Sequence, residues 1–154
     1  MPEIKPRFEM LAPKLDALAR CLARIESKSP FTLERLRSDA DLQDIISVNL
    51  ERAIQQCVDV ASMVLAEGNA PAPLTMADGF DGLSAAGWID APNASRMRKA
   101  TGFRNILVHE YEKIDWAIAF KIATTHLEDF KSFARQIVAK YPKGSRPEPT
   151  SEPN

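Results

Sequence analysis

The chain has 154 residues, of which 45% are hydrophobic and 27% charged, a balance typical of one globular domain. Its formal net charge of −1 excludes a globally basic nucleic-acid binder but does not exclude a local basic patch. No stretch approaches the roughly 18 apolar residues that a membrane-spanning helix needs. The first ten residues, MPEIKPRFEM, lack the apolar centre of a signal peptide. We therefore expect a cytoplasmic protein that does not contact a membrane.

Residues that commonly hold metals or cofactors are sparse and scattered. Cys21 and Cys57 fall at apolar positions of helical patterns, which predicts two reduced thiols in the core. The sequence contains no CxxC, no HExxH and no glycine-rich phosphate loop. It also lacks the β-branched runs, bounded by turns, that a strand-based nucleotide-binding fold requires. We therefore expect neither a metal nor a cofactor.

The first two long segments have helical periodicity. Pro13 lies inside the first segment, so the regular helix either begins near Pro13 or is kinked there. The second segment runs from Ser38 or Asp39 to Glu67, with Gly68 as a stop signal. The apolar stripe of the first segment is Phe8, Leu11, Leu15, Leu18, Leu22 and Ile25. The stripe of the second is Leu42, Ile46, Asn49, Ala53, Cys57, Val60 and Val64, in which we expect Asn49 to be a hydrogen-bonded core or interface residue.

Shorter helices follow the linker at residues 70–74. The stretch TMADGFDGLSAAGWI predicts a short helix that ends at Gly87. Pro92 suits the first turn of the next helix, and we expect Gly102 to bend or break that helix just before Arg104. Asp115 is the predicted N-cap of the last helix. We expect one long helix whose packing seam is Trp116, Phe120, Ala123, Leu127, Phe130, Ala134, Ile137 and Tyr141, with His126 as a boundary residue beside it.

The helical pattern divides the sequence into a folded region and a tail. Residues 1–141 predict an all-α fold, an up-and-down bundle of about four main helices. Residues 142–154 contain four prolines and no large apolar side chain, so they predict a flexible Pro-rich tail.

The stretch RNILVHEY, at residues 104–111, gathers scarce polar chemistry. On a helix of about 100° per residue, Arg104, Asn105, His109 and Tyr111 share one face. The opposite face is apolar and consists of Phe103, Ile106 and Leu107. An Arg fork binds phosphate, a His moves protons near neutral pH, and Asn105 can orient the His ring or hold a ligand. These side chains suit metal-free RNA cleavage, in which the ribose 2′-oxygen attacks the adjacent phosphorus.

Two further features favour an RNA site. Between Ala91 and His109 the sequence has four basic residues and no acidic one, so Arg96, Arg98 and Lys99 predict a phosphate-binding surface. A short basic helix face is, however, often only solvated. Cleavage needs both a base and an acid, and a two-fold dimer offers two copies of His109.

RNILVHEY resembles the R-x4-6-H-x-Y motif of HEPN-domain proteins, in particular the HepT toxins of MNT–HEPN toxin–antitoxin systems. The resemblance extends through DGFDGLSAAGWI and GFRN and covers roughly residues 8–140. It implies a HEPN-like homodimer whose motifs line a shared cleft, and a metal-independent endoribonuclease with Arg104 and His109 as catalytic residues. Asn105 matches the polar residue that follows the Arg. Tyr111 matches the Tyr that the cognate MNT nucleotidyltransferase antitoxin modifies with AMP.

Two alternatives remain at this point. In the first alternative, the chain is a non-catalytic HEPN protein, in which Arg104 and His109 hold a phosphate of a nucleotide or help to dock a nucleotidyltransferase. Alternatively, it is a structural four-helix dimerisation module, in which the motif residues form ordinary surface contacts. RNA degradation by the purified dimer separates the ribonuclease from both alternatives.

Overall fold

The computed structural model describes residues 6–142, in which the regular structure is entirely helical. This part of the chain contains α1 (Phe8–Glu26), α2 (Leu33–Ser38), α3 (Ala40–Glu67), α4 (Met76–Ala85), α5 (Ala91–His109), α6 (Trp116–Thr125) and α7 (Leu127–Ala139). A 3-10 turn, Tyr111–Lys113, follows α5. The predicted all-α bundle is confirmed, with α1, α3, α5 and the α6–α7 pair as its four main units. Residues 143–154 of the predicted tail lie outside the described residues.

The longest helix, α3, is the centre of the bundle and contacts each of the other six α-helices. Its side chains Ile46, Leu50 and Ile54 are fully buried. Both cysteines are free and buried, as predicted, and burial raises the pKa of the Cys57 thiol. None of the helices within residues 6–142 is long and apolar enough to span a membrane.

The beginning of α1 differs from one of the two predicted possibilities. The helix begins at Phe8, so a regular helix that starts only near Pro13 is wrong. Pro13 occupies the sixth position and is exposed, where its ring costs the helix the hydrogen bond to the carbonyl of Glu9. Burial of Leu11 and Leu18 on the inner face, against α3, stabilises the helix on both sides of Pro13.

Local capping chemistry fixes the ends of α3 and α4. The Asp39 carboxylate accepts a hydrogen bond from the Leu42 amide at 3.0 Å, which confirms the predicted start of α3. Gly87 has φ +81°, and the amides of Gly87 and Trp88 donate to the carbonyls of Ser84 and Leu83. This paired arrangement ends α4 where the sequence predicts.

Helix α5 is continuous from Ala91 to His109, so the expected bend or break at Gly102 is wrong. Gly102 itself is exposed, whereas its neighbours Thr101 and Phe103 are buried. Packing of these neighbours therefore overrides the weak helix propensity of glycine. The consequence for function is that the basic residues share one continuous helix with Arg104, Asn105 and His109.

This geometry predicts opposite effects for two glycine substitutions. A Cβ at Gly102 meets no atom within 4 Å, so Gly102→Ala is expected to raise the free energy of unfolding. The expected gain is about 0.5–1 kcal/mol, because alanine has the better helix propensity. Gly87→Ala is the matched control and is expected to cost about 1–2 kcal/mol, because its positive φ disfavours a side chain. Urea denaturation measures both changes, and a loss of stability in Gly102→Ala contradicts a regular α5.

The predicted single C-terminal helix is wrong, because the chain breaks at His126 into α6 and α7. His126 has φ −108° and ψ 9°, and Glu128 and Asp129 occupy the first turn of the new helix, where acidic side chains favour a helix start. The buried seam nevertheless continues across the break with spacings of three and four. It consists of Ala119, Ala123, Leu127, Phe130, Phe133 and Ile137.

Candidate active site

The motif RNILVHEY spans the end of α5 and the turn that follows it. Helix α5 ends at His109, and Glu110 adopts a non-helical conformation with φ −139° and ψ 46°. Arg104, Asn105 and His109 therefore lie on α5 as predicted, whereas Tyr111 opens the 3-10 turn. The expectation that Tyr111 shares a helical face with Arg104 is corrected by this early end of the helix.

The two faces of the last turns of α5 differ in burial as the sequence predicts. Phe103 and Leu107 are buried, which anchors the helix in the core. Asn105 and His109 are exposed on the other side, and Arg104 is half-buried between them and the core. The apolar face therefore holds the polar side chains at the surface of the bundle.

Arg104 has an unusual environment for a cation. Its Nε atom is buried and has no hydrogen-bond partner, and Arg104 forms no ion pair within residues 6–142. Leaving a buried, charged donor without a partner is unfavourable. The guanidinium is therefore suited to bind an anionic ligand such as a phosphate, whose oxygens match its planar fork of donors.

His109 lies five residues after Arg104 on the same helix. This separation corresponds to a rise of about 7.5 Å and a rotation of about 140°. The two side chains therefore lie near opposite edges of the polar face of α5.

Tyr111 is held by a residue distant in sequence. Its hydroxyl donates a hydrogen bond to Oδ1 of Asp44 on α3 at 3.2 Å, across 67 positions of the chain. Its ring packs edge-on against Trp116, with centroids 6.1 Å apart. Tyr111 as a whole remains 43% exposed. Asp44 was not predicted from the sequence, because no local pattern links this residue to the motif.

The predicted phosphate-binding residues separate into two groups. Arg98 pairs with Asp81 at 2.6 Å and with Asp78 at 3.3 Å, so its charge is already compensated. Arg96 and Lys99 instead line a cavity of about 430 Å³ between α5, α6 and α7. Lys99 has no ion pair among the described residues, and Arg96 reaches Asp129 at 3.7 Å.

The same cavity contains two cationic or titratable residues that the sequence did not single out as phosphate ligands. Lys121 and His126 contribute to its wall, and Met97, Phe103 and Phe130 provide apolar surface. His126 lies 3.5 Å from the Asp129 carboxylate. A cavity with apolar surface and a mainly basic rim suits a nucleotide, because it offers separate places for a base and a phosphate.

Residues 6–142 contain no group of three or more His, Cys, Asp or Glu side chains placed to hold a metal ion. The groups that the motif and its contacts offer for chemistry include a guanidinium, an imidazole, an amide, a phenol and the carboxylates of Glu110 and Asp44.

Comparison with known protein families decides what kind of protein carries this site. The family model described as ribonuclease HepT-like matches residues 18–137, which include all of the motif. The chain belongs to the HepT-like ribonuclease family. Membership in this family confirms the resemblance that the motif indicates, and it assigns the fold to a family of RNA-cutting enzymes.

Two known nucleases named HepT resemble the chain over most of its length. The mRNA nuclease HepT of Shewanella oneidensis is 29% identical over 132 residues, which cover 86% of this chain and 98% of the relative. The tRNA nuclease HepT of Aphanizomenon flos-aquae is 24% identical over 137 residues, covering 89% and 92%. Both similarities extend beyond the motif to the whole bundle.

A solved structure is similar at the level of the backbone. The tri-AMPylated HEPN toxin of Shewanella oneidensis, in complex with an MNT antitoxin, matches with a TM-score of 0.78 and 29% identity. The match covers 84% of this chain and 96% of that one. The chain is therefore similar to a toxin that carries AMP groups and binds an MNT antitoxin.

Proposed function

We propose that this HepT-like ribonuclease is the toxin of a toxin–antitoxin pair and cuts RNA with Arg104 and His109. The observation that carries the proposal is the environment of Arg104, whose half-buried guanidinium lacks an anionic partner within the described residues. The family match supports the reaction, and the exposed His109 in the next turns of α5 supports the proton transfer.

In the proposed reaction, one His109 acts as the base and removes the proton from the ribose 2′-OH. The 2′-oxygen attacks the adjacent phosphorus, and Arg104 stabilises the negative charge that develops on the phosphorane. An acid then protonates the leaving 5′-oxygen. Asn105 lies one turn before His109 on α5, where it can orient the imidazole or hold a phosphate oxygen.

We propose that the active form is a homodimer whose motif faces meet across a two-fold axis. The need for both a base and an acid supports this arrangement, because the second His109 supplies the missing group. Exposed apolar side chains support it as well. Val108 and Ile118 are 40% and 48% exposed and lie close to His109 in sequence.

Light scattering during size-exclusion chromatography tests the homodimer. We expect the mass of two chains at micromolar concentration, and we expect Val108→Glu to shift the population towards monomer and to reduce RNA cleavage together with it. Met10→Glu is the matched control, because Met10 is also exposed but lies on α1, away from the motif. A monomer that cuts RNA at full rate contradicts the shared active site.

We propose that the cavity beside α5 binds RNA on its way to the motif. Lys99, Arg96 and Lys121 support this role through their positions on its wall. Arg98, also predicted from the sequence, must first release Asp81 and Asp78, so we expect it to contribute less. Each cation that neutralises a phosphate releases counterions, which makes binding weaker as the salt concentration rises.

Lys99→Ala is therefore expected to reduce the salt dependence of RNA binding. The slope of log affinity against log salt concentration should decrease by about 0.7 for one lost phosphate contact on single-stranded RNA. The measurement uses fluorescence anisotropy in the His109→Ala background, which prevents cleavage. Arg24→Ala on α1 is the control and should leave the slope unchanged. Equal slopes for Lys99→Ala and its parent contradict a phosphate contact.

The partner that we propose is an MNT-type nucleotidyltransferase antitoxin, which transfers AMP to Tyr111. The exposed phenol supports this proposal, as does the AMPylated toxin of Shewanella oneidensis in its complex with an MNT antitoxin.

For the RNA substrate, parallel digestion of purified tRNA and of an unstructured mRNA fragment distinguishes the two activities named for the relatives. We expect cleavage to continue in EDTA, because the proposed reaction uses side chains only.

A further inference from the structure

We infer that Asp44 is the general base of the AMP transfer to Tyr111, so that the toxin supplies part of the catalytic machinery for its own modification. The inference rests on the proposed function, because it requires Tyr111 to be the residue that receives AMP. It adds a catalytic role for a carboxylate that lies on α3, outside the motif.

The contact between the two side chains carries the inference. The Tyr111 hydroxyl donates to Asp44 Oδ1 at 3.2 Å, which is within the distance over which a general base takes a proton. Asp44 forms no ion pair within residues 6–142, so no cation in that part of the chain competes for the carboxylate. Both residues are exposed, so a partner enzyme has access to this hydroxyl.

Two other carboxylates close to Tyr111 in sequence have partners of their own, and Glu112 makes no hydrogen bond with the Tyr111 hydroxyl among the described residues. Glu110 pairs with Lys113 at 3.5 Å. Asp115 caps α6 by accepting a hydrogen bond from the Ala117 amide at 2.9 Å. Among the described residues, Asp44 is the carboxylate that accepts a hydrogen bond from the Tyr111 hydroxyl.

The chemistry of AMP transfer requires such a group. A protonated phenol is a weak nucleophile and needs an adjacent base. In the proposed step, the Tyr111 oxygen forms a bond to the α-phosphorus of ATP, which the antitoxin brings. The bond from the α-phosphorus to the bridging oxygen breaks, and pyrophosphate leaves. The phenolic proton moves to Asp44, so the charges balance without any oxidant or reductant.

The contact also orients the nucleophile before the partner arrives. Trp116 limits the movement of the Tyr111 ring from one side, and Asp44 holds the hydroxyl from α3. Once AMP is attached, the hydroxyl proton is gone and the new phosphodiester repels the Asp44 carboxylate. Modified Tyr111 is therefore expected to leave Asp44, which opposes the reverse reaction at this position.

The test measures AMP transfer to the purified toxin by a cognate MNT enzyme with ATP and Mg²⁺, using intact mass and peptide mapping. Asp44→Asn keeps an oxygen that can accept the hydrogen bond but removes the base. We expect kcat for AMP transfer to fall about 10²-fold, in the range typical of general-base catalysis, with KM for the toxin unchanged. Asp44→Glu should restore part of the rate. Asp41→Asn, on the same helix, is the matched control and should behave as wild type.

A second measurement separates a chemical role from a structural one. Replacing Tyr111 with a fluorinated tyrosine makes the phenol more acidic, so the reaction depends less on a base. We expect the rate difference between the parent toxin and Asp44→Asn to shrink with this analogue. RNA cleavage by Asp44→Asn should remain at the wild-type rate, which shows that the toxin is folded.

Several outcomes overturn the inference. If the Asp44→Asn toxin is modified as fast as wild type, or faster, Asp44 does not act as the base. A change in KM alone indicates docking, and a rate difference that fluorination does not alter indicates a structural role. If the wild-type toxin receives AMP at another residue or not at all, the failure lies in the proposed modification of Tyr111 itself.

Discussion

His109→Ala and Arg104→Ala are each expected to abolish measurable RNA cleavage while the helical bundle stays folded. Removing a general acid or base typically lowers a rate by about 10²–10⁴-fold, and removing a group that stabilises the transition-state charge costs about 10²–10³-fold. Because His109 is exposed and Arg104 is half-buried with no ion pair within residues 6–142, the stability of both variants should change little. Relief of growth arrest on expression is the expected result in cells.

The measurement is a single-turnover cleavage assay, accompanied by circular dichroism and urea denaturation of each variant. His126→Ala is a matched control, because this second His is half-exposed but lies between α6 and α7 rather than in the motif. We expect His126→Ala to retain the wild-type single-turnover rate of cleavage at saturating protein concentration, with any effect limited to RNA affinity. Substantial cleavage by folded His109→Ala contradicts the assignment of His109.

Tyr111→Phe is expected to give a toxin that cuts RNA at the wild-type rate and escapes neutralisation by AMP transfer. The phenol oxygen takes no part in the proposed cleavage, so its loss should leave the active site intact. In the wild type, the added phosphodiester brings negative charge to the end of α5, where it repels the RNA backbone. The adenosine adds bulk at the same place. Co-expression with the antitoxin should therefore silence the wild type and leave Tyr111→Phe toxic.

Intact-mass analysis after co-expression shows how many AMP groups each toxin carries, and peptide mapping locates them. A further comparison uses an antitoxin that binds the toxin but cannot transfer AMP, which separates neutralisation by binding from neutralisation by modification. If added mass maps to another residue, or if Tyr111→Phe is silenced by modification as readily as the wild type, Tyr111 does not have this role.

The parts of the fold that the sequence predicts correctly are those that local chemistry determines. Asp39 caps α3 and Asp115 caps α6 through hydrogen bonds to amides two or three residues away. Gly87 ends α4 with a positive φ that glycine adopts without strain. Each of these signals is complete within a few residues, so no knowledge of the tertiary structure is needed to recognise it.

The errors have the opposite origin. The break at His126 keeps the three-and-four spacing of the buried seam, so periodicity alone predicts one helix. Helix α2 has six residues, too few to show a period, so it was not predicted. Gly102 stays helical because the burial of Thr101 and Phe103 outweighs a propensity cost of about 1 kcal/mol.

For the candidate site, the sequence predicts the residue types and the helix, but not their partners. Arg104, Asn105 and His109 are recognisable because the motif is contiguous and its faces are amphipathic. The contact of Tyr111 with Asp44, and the pairing of Arg98 with Asp78 and Asp81, join distant elements. Such contacts depend on how the helices pack, so a single sequence does not predict them.

The measurement that tests the central claim most directly is the chemical identity of the RNA ends after cleavage in EDTA. Attack by the ribose 2′-oxygen, with His109 as base and Arg104 beside the phosphorane, leaves a 2′,3′-cyclic phosphate on one fragment and a 5′-hydroxyl on the other. We expect these ends from the wild-type protein, and no fragments from His109→Ala. Fragments with 3′-hydroxyl and 5′-phosphate ends, formed only when a divalent metal is added, would contradict the account.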